Sequence, residues 1–151
     1  MPLFEGLRRD ELRRIYLEAW RKRSAGAPLE PLEAQIAAVI EEHPHYVPWL
    51  EAGEEALTAD FAPEAGRENP FLHMALHLAI REQVATDRPA GIARVHRKLA
   101  RGLGGSHAAE HAMMESLAET LWEAQHGGAA PDEAGYLRRL ESLPGRKRRA
   151  R

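Results

Sequence analysis

Four histidines and a glutamate stand at four-residue spacing in two stretches of the chain. His73 and His77 lie in NPFLHMALHLAI, residues 69–80, and His107, His111 and Glu115 lie in SHAAEHAMME, residues 106–115. On an α-helix, residues four apart are turned by only about 40° and stand one turn above each other. Each stretch therefore offers two imidazoles from one stripe. A buried polar group without a partner costs roughly 1–3 kcal/mol, and a helix backbone spends its own groups on its ladder. One divalent metal satisfies a nitrogen on every ring at once. Nitrogen donors with a carboxylate suit zinc, iron, nickel or copper better than magnesium or calcium. The expected cofactor is one divalent transition metal, zinc or iron first. Its expected ligands are His73, His77, His107 and His111, with Glu115 as a fifth ligand or an outer acceptor.

Two other functions compete with that one. Histidines bonded to one another, to Glu115 and to water would make a non-enzymatic interaction module with structural core imidazoles. Alternatively, HAAEH at 107–111 fits His-x-x-Glu-His, in which Glu110 would be the general base of a metal-dependent hydrolase. A carboxylate di-iron site needs Glu-x-x-His pairs on its helices, and Pro44 breaks the pair from Glu42 to His45.

The elements that must position these residues all have the helical period. Leu12, Ile15, Tyr16, Ala19 and Trp20 share one stripe, which Gly26 and Pro28 end. Pro31 opens a second helix with Leu32, Ile36, Val39 and Ile40 inward. Pro44 stops it, leaving His43 and His45 where a helix dipole favours an imidazolium; His43 is the better outside ligand of the two. Residues 46–66 read as irregular, with one or two short helical turns. Asn69-Pro70 is an N-cap followed by a first-turn proline, opening a helix over 70–86 that is apolar nearly all round. Residues 91–103 form a helix with Ile92, Val95, Leu99 and Leu103 inward and His96 on a basic, solvent-facing side. Ser106 is the expected cap of a helix over 106–125. Its expected core stripe is Met114, Leu117, Ala118, Leu121 and Trp122, with His107 and His111 inside and Glu115 at the edge. A last helix covers 132–142, and His126 is a helix-end residue. The fold expected is all-α, a single-domain helical bundle of about six helices over 1–143, followed by a basic disordered tail at 144–151.

The 151 residues suit one domain with a modest core. The absence of cysteine removes disulfides, thiolate metal sites and thiol nucleophiles. A net charge of −2 favours neither nucleic acid nor membrane in bulk. Only the tail, with Arg146, Lys147, Arg148, Arg149 and Arg151, offers cations for phosphates. The arginines of the first helix alternate with Asp10, Glu11 and Glu18 and make a mixed face. The start, MPLFEGLRRDEL, lacks the basic-then-apolar order of a signal peptide, and no apolar run spans a bilayer, so a cytoplasmic location is expected. A homodimer is compatible with the pattern and is one way to bring a ligand across an interface.

Several stretches resemble a known family. They are EAW at 18–20, PLE at 31–33, EHP at 42–44, NPFLHMALHLAI at 69–80, EQ at 82–83 and GI at 91–92. The likeness continues through H..EH..ME at 107–115, LWEAQ at 121–125 and PDE..YL at 131–137. With these, the chain resembles the small bacterial proteins of the domain of unknown function 1841 family. The resemblance implies one all-helical domain and no established activity. It also implies His73, His77, His107, His111 and Glu115 as a shared set. Glutamine is common in the family at the position of Glu110, and Val47 stands where members tend to carry a histidine.

Overall fold

Prolines and capping side chains decide where the helices begin. The computed structural model describes residues 8–61 and 68–144. Among them are eight α-helices and one 3₁₀ turn, with no strand. The helices are α1 (Arg9–Ser24), α2 (Pro31–Glu41), α3 (Val47–Leu50), α4 (Glu54–Thr58), α5 (Pro70–Thr86), α6 (Ile92–Leu103), α7 (Ser106–Gly127) and α8 (Glu133–Glu141). The all-helical expectation holds, but the count is eight rather than about six. The two additions, α3 and α4, lie in the stretch read as irregular. Helices of four and five residues are too short to show a 3.6-residue period. Residues 62–66 of that stretch lie outside the described residues, as does the basic tail beyond Pro144.

Asn69 caps α5 as expected. Its Oδ1 accepts from the backbone N–H of Phe71 at 3.0 Å and of Leu72 at 3.2 Å, and Pro70 opens the helix. Pro31 opens α2, and Glu30 with Glu33 forms a capping box. At α7 the expectation is off by one residue. Gly105 takes the cap position and Ser106 is already helical. Gly104 ends α6 at φ +92, in the left-handed region where a side chain would be strained.

The chain divides into two compact units, Met1–Leu78 and Ala79–Arg151, with the boundary inside α5. In the first unit α1 packs on α2, α3 and α4. Its core includes Tyr16, Ile36, Val39, Ile40, Phe71 and Met74. Arg13 is buried there as well, 2% exposed. In the second unit α6, α7 and α8 pack pairwise, burying Ile92, Leu99, Met113, Leu117, Tyr136 and Leu140. The Tyr136 hydroxyl donates to Gln83 Oε1 at 2.7 Å, and burial holds its pKa above the usual phenol range.

The buried face of α7 shares only Met114 and Leu117 with the expected one. It consists of Ala109, Glu110, Met113, Met114, Ser116, Leu117 and Thr120. Trp122 is 58% exposed, and Ala118 is exposed. At about 100° per residue, this face is turned by roughly 100° from the stripe read in the sequence. The cause is that Glu110 and Thr120 have partners. Glu110 meets Arg81, and Thr120 Oγ1 donates to the Ser116 carbonyl at 2.8 Å and accepts from Arg139 Nη1 at 3.1 Å. Hydrogen-bonded polar groups can be buried without large cost, so apolar periodicity alone misplaces the face. No helix among the described residues is long and apolar enough to cross a membrane.

Candidate metal centre

Within the first unit, three imidazoles gather where α2 ends and α5 begins. His73 and His77 stand one turn apart on α5, with ring centroids 5.0 Å apart. His43 follows the last residues of α2, with centroids 4.9 Å from His73 and 4.8 Å from His77. His77 is 0% exposed and His43 2%; His73 is half-buried. Tyr46 stacks on His43 at 5.2 Å and meets His73 edge-on at 5.7 Å. Burial and the nearby Glu68 carboxylate together raise the Tyr46 pKa, which keeps the phenol neutral. Pro44 produces this placement. It stops α2 and turns the chain into the 3₁₀ turn Pro44–Tyr46, which brings His43 and Tyr46 to the same face.

Hydrogen-bond roles on the rings follow from their partners. His43 Nδ1 lies 2.8 Å from the Val39 carbonyl, which can only accept, so Nδ1 carries a hydrogen. His73 Nδ1 lies 3.1 Å from Glu68 Oε1, so it carries one too. The two Nε2 atoms face each other at 3.2 Å. The same spacing suits a metal. Two nitrogens bound at about 2.0–2.1 Å in a tetrahedral site stand about 3.3–3.4 Å apart. The Nδ1–H bond from His43 to a carbonyl is also how a metal-binding histidine is usually oriented.

In the second unit, His107 and His111 stand one turn apart on the first part of α7, with ring centroids 4.4 Å apart. His107 is half-buried, and His111 is exposed, as is Glu115 one turn further on. His45 packs against Tyr46 at 4.2 Å. His126 Nδ1 lies 2.9 Å from the Trp122 carbonyl, inside the end of α7. His96, expected to face solvent, is instead half-buried. Its Nε2 is buried with no hydrogen-bond partner among the described residues.

Glu110 is 5% exposed, and both its oxygens lie 3.1 Å from Arg81 Nε. Arg81 carried no signal in the sequence. It stands two turns beyond His73 on α5, a position at which a helix presents nearly the same side. A carboxylate held by a guanidinium is shaped to fix charge in place, not to take a proton from water. Truncating it leaves a partly buried cation unmatched. Glu110→Ala should therefore lower stability by about 2–3 kcal/mol, measured by urea denaturation. A loss below about 0.5 kcal/mol would mean that water replaces the pair at no cost.

A family model described as a domain of unknown function (DUF1841) matches residues 8–142. No curated protein and no solved structure matches the chain. The matched span includes every histidine described above and all eight helices. The chain belongs to the family of the domain of unknown function DUF1841.

Proposed function

We propose that the protein binds one divalent transition metal through its histidines, zinc or iron first. The observation that carries this reading is the pair formed by buried His43 and half-buried His73, whose Nε2 atoms face each other at 3.2 Å. An ion between them would take both nitrogens as donors, with His77 beside them. His107 and His111 of α7 are the proposed remaining donors. Glu115, exposed beyond His111, is assigned an outer accepting role at most. All the donors are nitrogen, which favours zinc, iron, nickel or copper over magnesium and calcium. As a hydrolase the protein would need a free base at Glu110, and Arg81 occupies that carboxylate.

The experiment is metal analysis and zinc titration of protein purified without a histidine tag. About one equivalent per chain is expected. The decisive variant is His111→Ala, because His111 is exposed and its loss should leave the metal-free fold intact. It should weaken zinc binding at least tenfold while leaving metal-free melting unchanged. Wild-type stoichiometry near zero after reconstitution would overturn the reading and leave the imidazoles as structural groups. Unaltered zinc affinity in His111→Ala would remove α7 from the ligand set.

A further inference from the structure

Cations are distributed unevenly along the chain in a way that the net charge conceals. Between Asp87 and Glu110 there is no carboxylate, while Arg88, Arg94, Arg97, Lys98 and Arg101 all fall there. Four of them lie on α6, at positions i, i+3, i+4 and i+7. On a helix these occupy an arc of roughly 100° and a length of about 10 Å. All four are exposed. Along α1, by contrast, Arg9, Arg14, Arg21 and Arg23 each face a carboxylate at 2.5–3.6 Å. The α6 cations make no ion pair among the described residues.

We infer that the exposed face of α6 binds the phosphate backbone of a nucleic-acid duplex without regard to sequence. Three of the four cations are arginines, whose planar fork matches phosphate oxygens in pairs. A stripe of about 10 Å covers three steps of about 3.4 Å along the duplex axis, which matches its four cations to four phosphates of one strand. What is missing from the face narrows the ligand further. No phenylalanine, tyrosine or tryptophan stands on α6, so it offers no broad ring for unpaired bases to stack on, which disfavours single strands. Its outward positions carry no large apolar residue to enter a bilayer.

A groove of about 410 Å³ runs beside the stripe, between α6 and α8, lined by Arg94, Lys98 and Arg101. Its floor is Val95, Leu99 and Leu140, which are 8%, 2% and 1% exposed. So covered a floor gives an acyl chain little surface. Exposed Glu141 lines the groove on the α8 side, so anions are favoured on the α6 rim. The inference is independent of the metal reading, since none of these residues is a proposed ligand.

The test uses the full-length chain and a 20-base-pair duplex of arbitrary sequence, followed by fluorescence anisotropy across a salt series. With four phosphates neutralised, affinity should fall about 150-fold between 50 and 200 mM salt, and equally for unrelated sequences. The variant carries Arg94→Gln, Arg97→Gln, Lys98→Gln and Arg101→Gln together, all at exposed positions, and keeps the basic tail. It should melt as the wild type does, and its log–log salt slope should be shallower by about 3 to 4. No duplex binding by wild type at 50 mM salt would overturn the inference. So would wild-type affinity in the folded quadruple variant, which would place any contact in the tail. Tighter binding to vesicles of three parts phosphatidylcholine to one part phosphatidylglycerol than to the duplex would also overturn it, in favour of a membrane surface.

Discussion

Zinc added to the metal-free protein should raise its melting midpoint by about 8–16 °C at a thousandfold excess over the dissociation constant. Binding to the folded state alone stabilises it by about 4 kcal/mol at that excess. In a chain of about 150 residues each kcal/mol moves the midpoint by about 2–4 °C. The folded state should bind far better than the unfolded one, because the proposed donors come from well-separated segments: His43, then His73 and His77, then His107 and His111. An unfolded chain offers at most neighbouring pairs. Magnesium at the same concentration should do nothing, because hard cations prefer oxygen donors. His111→Ala should give most of the zinc effect away while melting normally without metal. A zinc shift below about 1 °C in scanning calorimetry would contradict a folded-state ion site and leave the imidazoles bonded to one another.

Helices that declare their own ends were legible in the sequence, and those held by distant partners were not. Asn69, Pro70 and a nearly all-round apolar pattern place α5 at Pro70–Thr86, because cap, first turn and period are all local. α3 and α4 have no such signal. Each is shorter than two turns and depends on what packs over it. The face of α7 was misread for a related reason. Glu110 and Thr120 counted as polar, and only the fold supplies Arg81 and Arg139 to satisfy them.

Spacing within one helix exposed the imidazole pairs, since four residues always make one turn. The neighbour that each pair meets was not encoded in spacing. His43 read as a helix-end histidine, and only the 3₁₀ turn after Pro44 sets its Nε2 against that of His73. The charge on α6 was hidden differently. Its cations were written plainly in the sequence, but an overall charge of −2 averaged them against carboxylates elsewhere.

Arg13→Met should cost about 3–4 kcal/mol, a large part of the stability of an ordinary domain. In sequence Arg13 belongs to a run of charged residues that reads as a solvated face. In the fold it is 2% exposed. Its Nη1 donates to the carbonyls of Ala56 at 2.9 Å, Leu57 at 3.4 Å and Ala59 at 2.8 Å. These carbonyls lie at and just beyond the end of α4, where a helix has no partners of its own. A five-residue helix cannot sustain itself in water, so the guanidinium is what closes it. The same group sits 5.3 Å from the Phe61 ring centre and 5.0 Å from that of Phe71. Burial, then the nearby Arg9, lower the Arg13 pKa, yet a guanidinium stays charged throughout the working range. Methionine would keep much of the volume and strand the carbonyls, each hydrogen bond to a charged group being worth about 1.5–3 kcal/mol before repacking. Lysine would keep the charge but not the fork, and should recover about half of the loss. Urea denaturation of the two variants checks the order. Equal stability of Arg13→Met and wild type would mean that the packing of Ala56 and Leu57 holds α4 unaided.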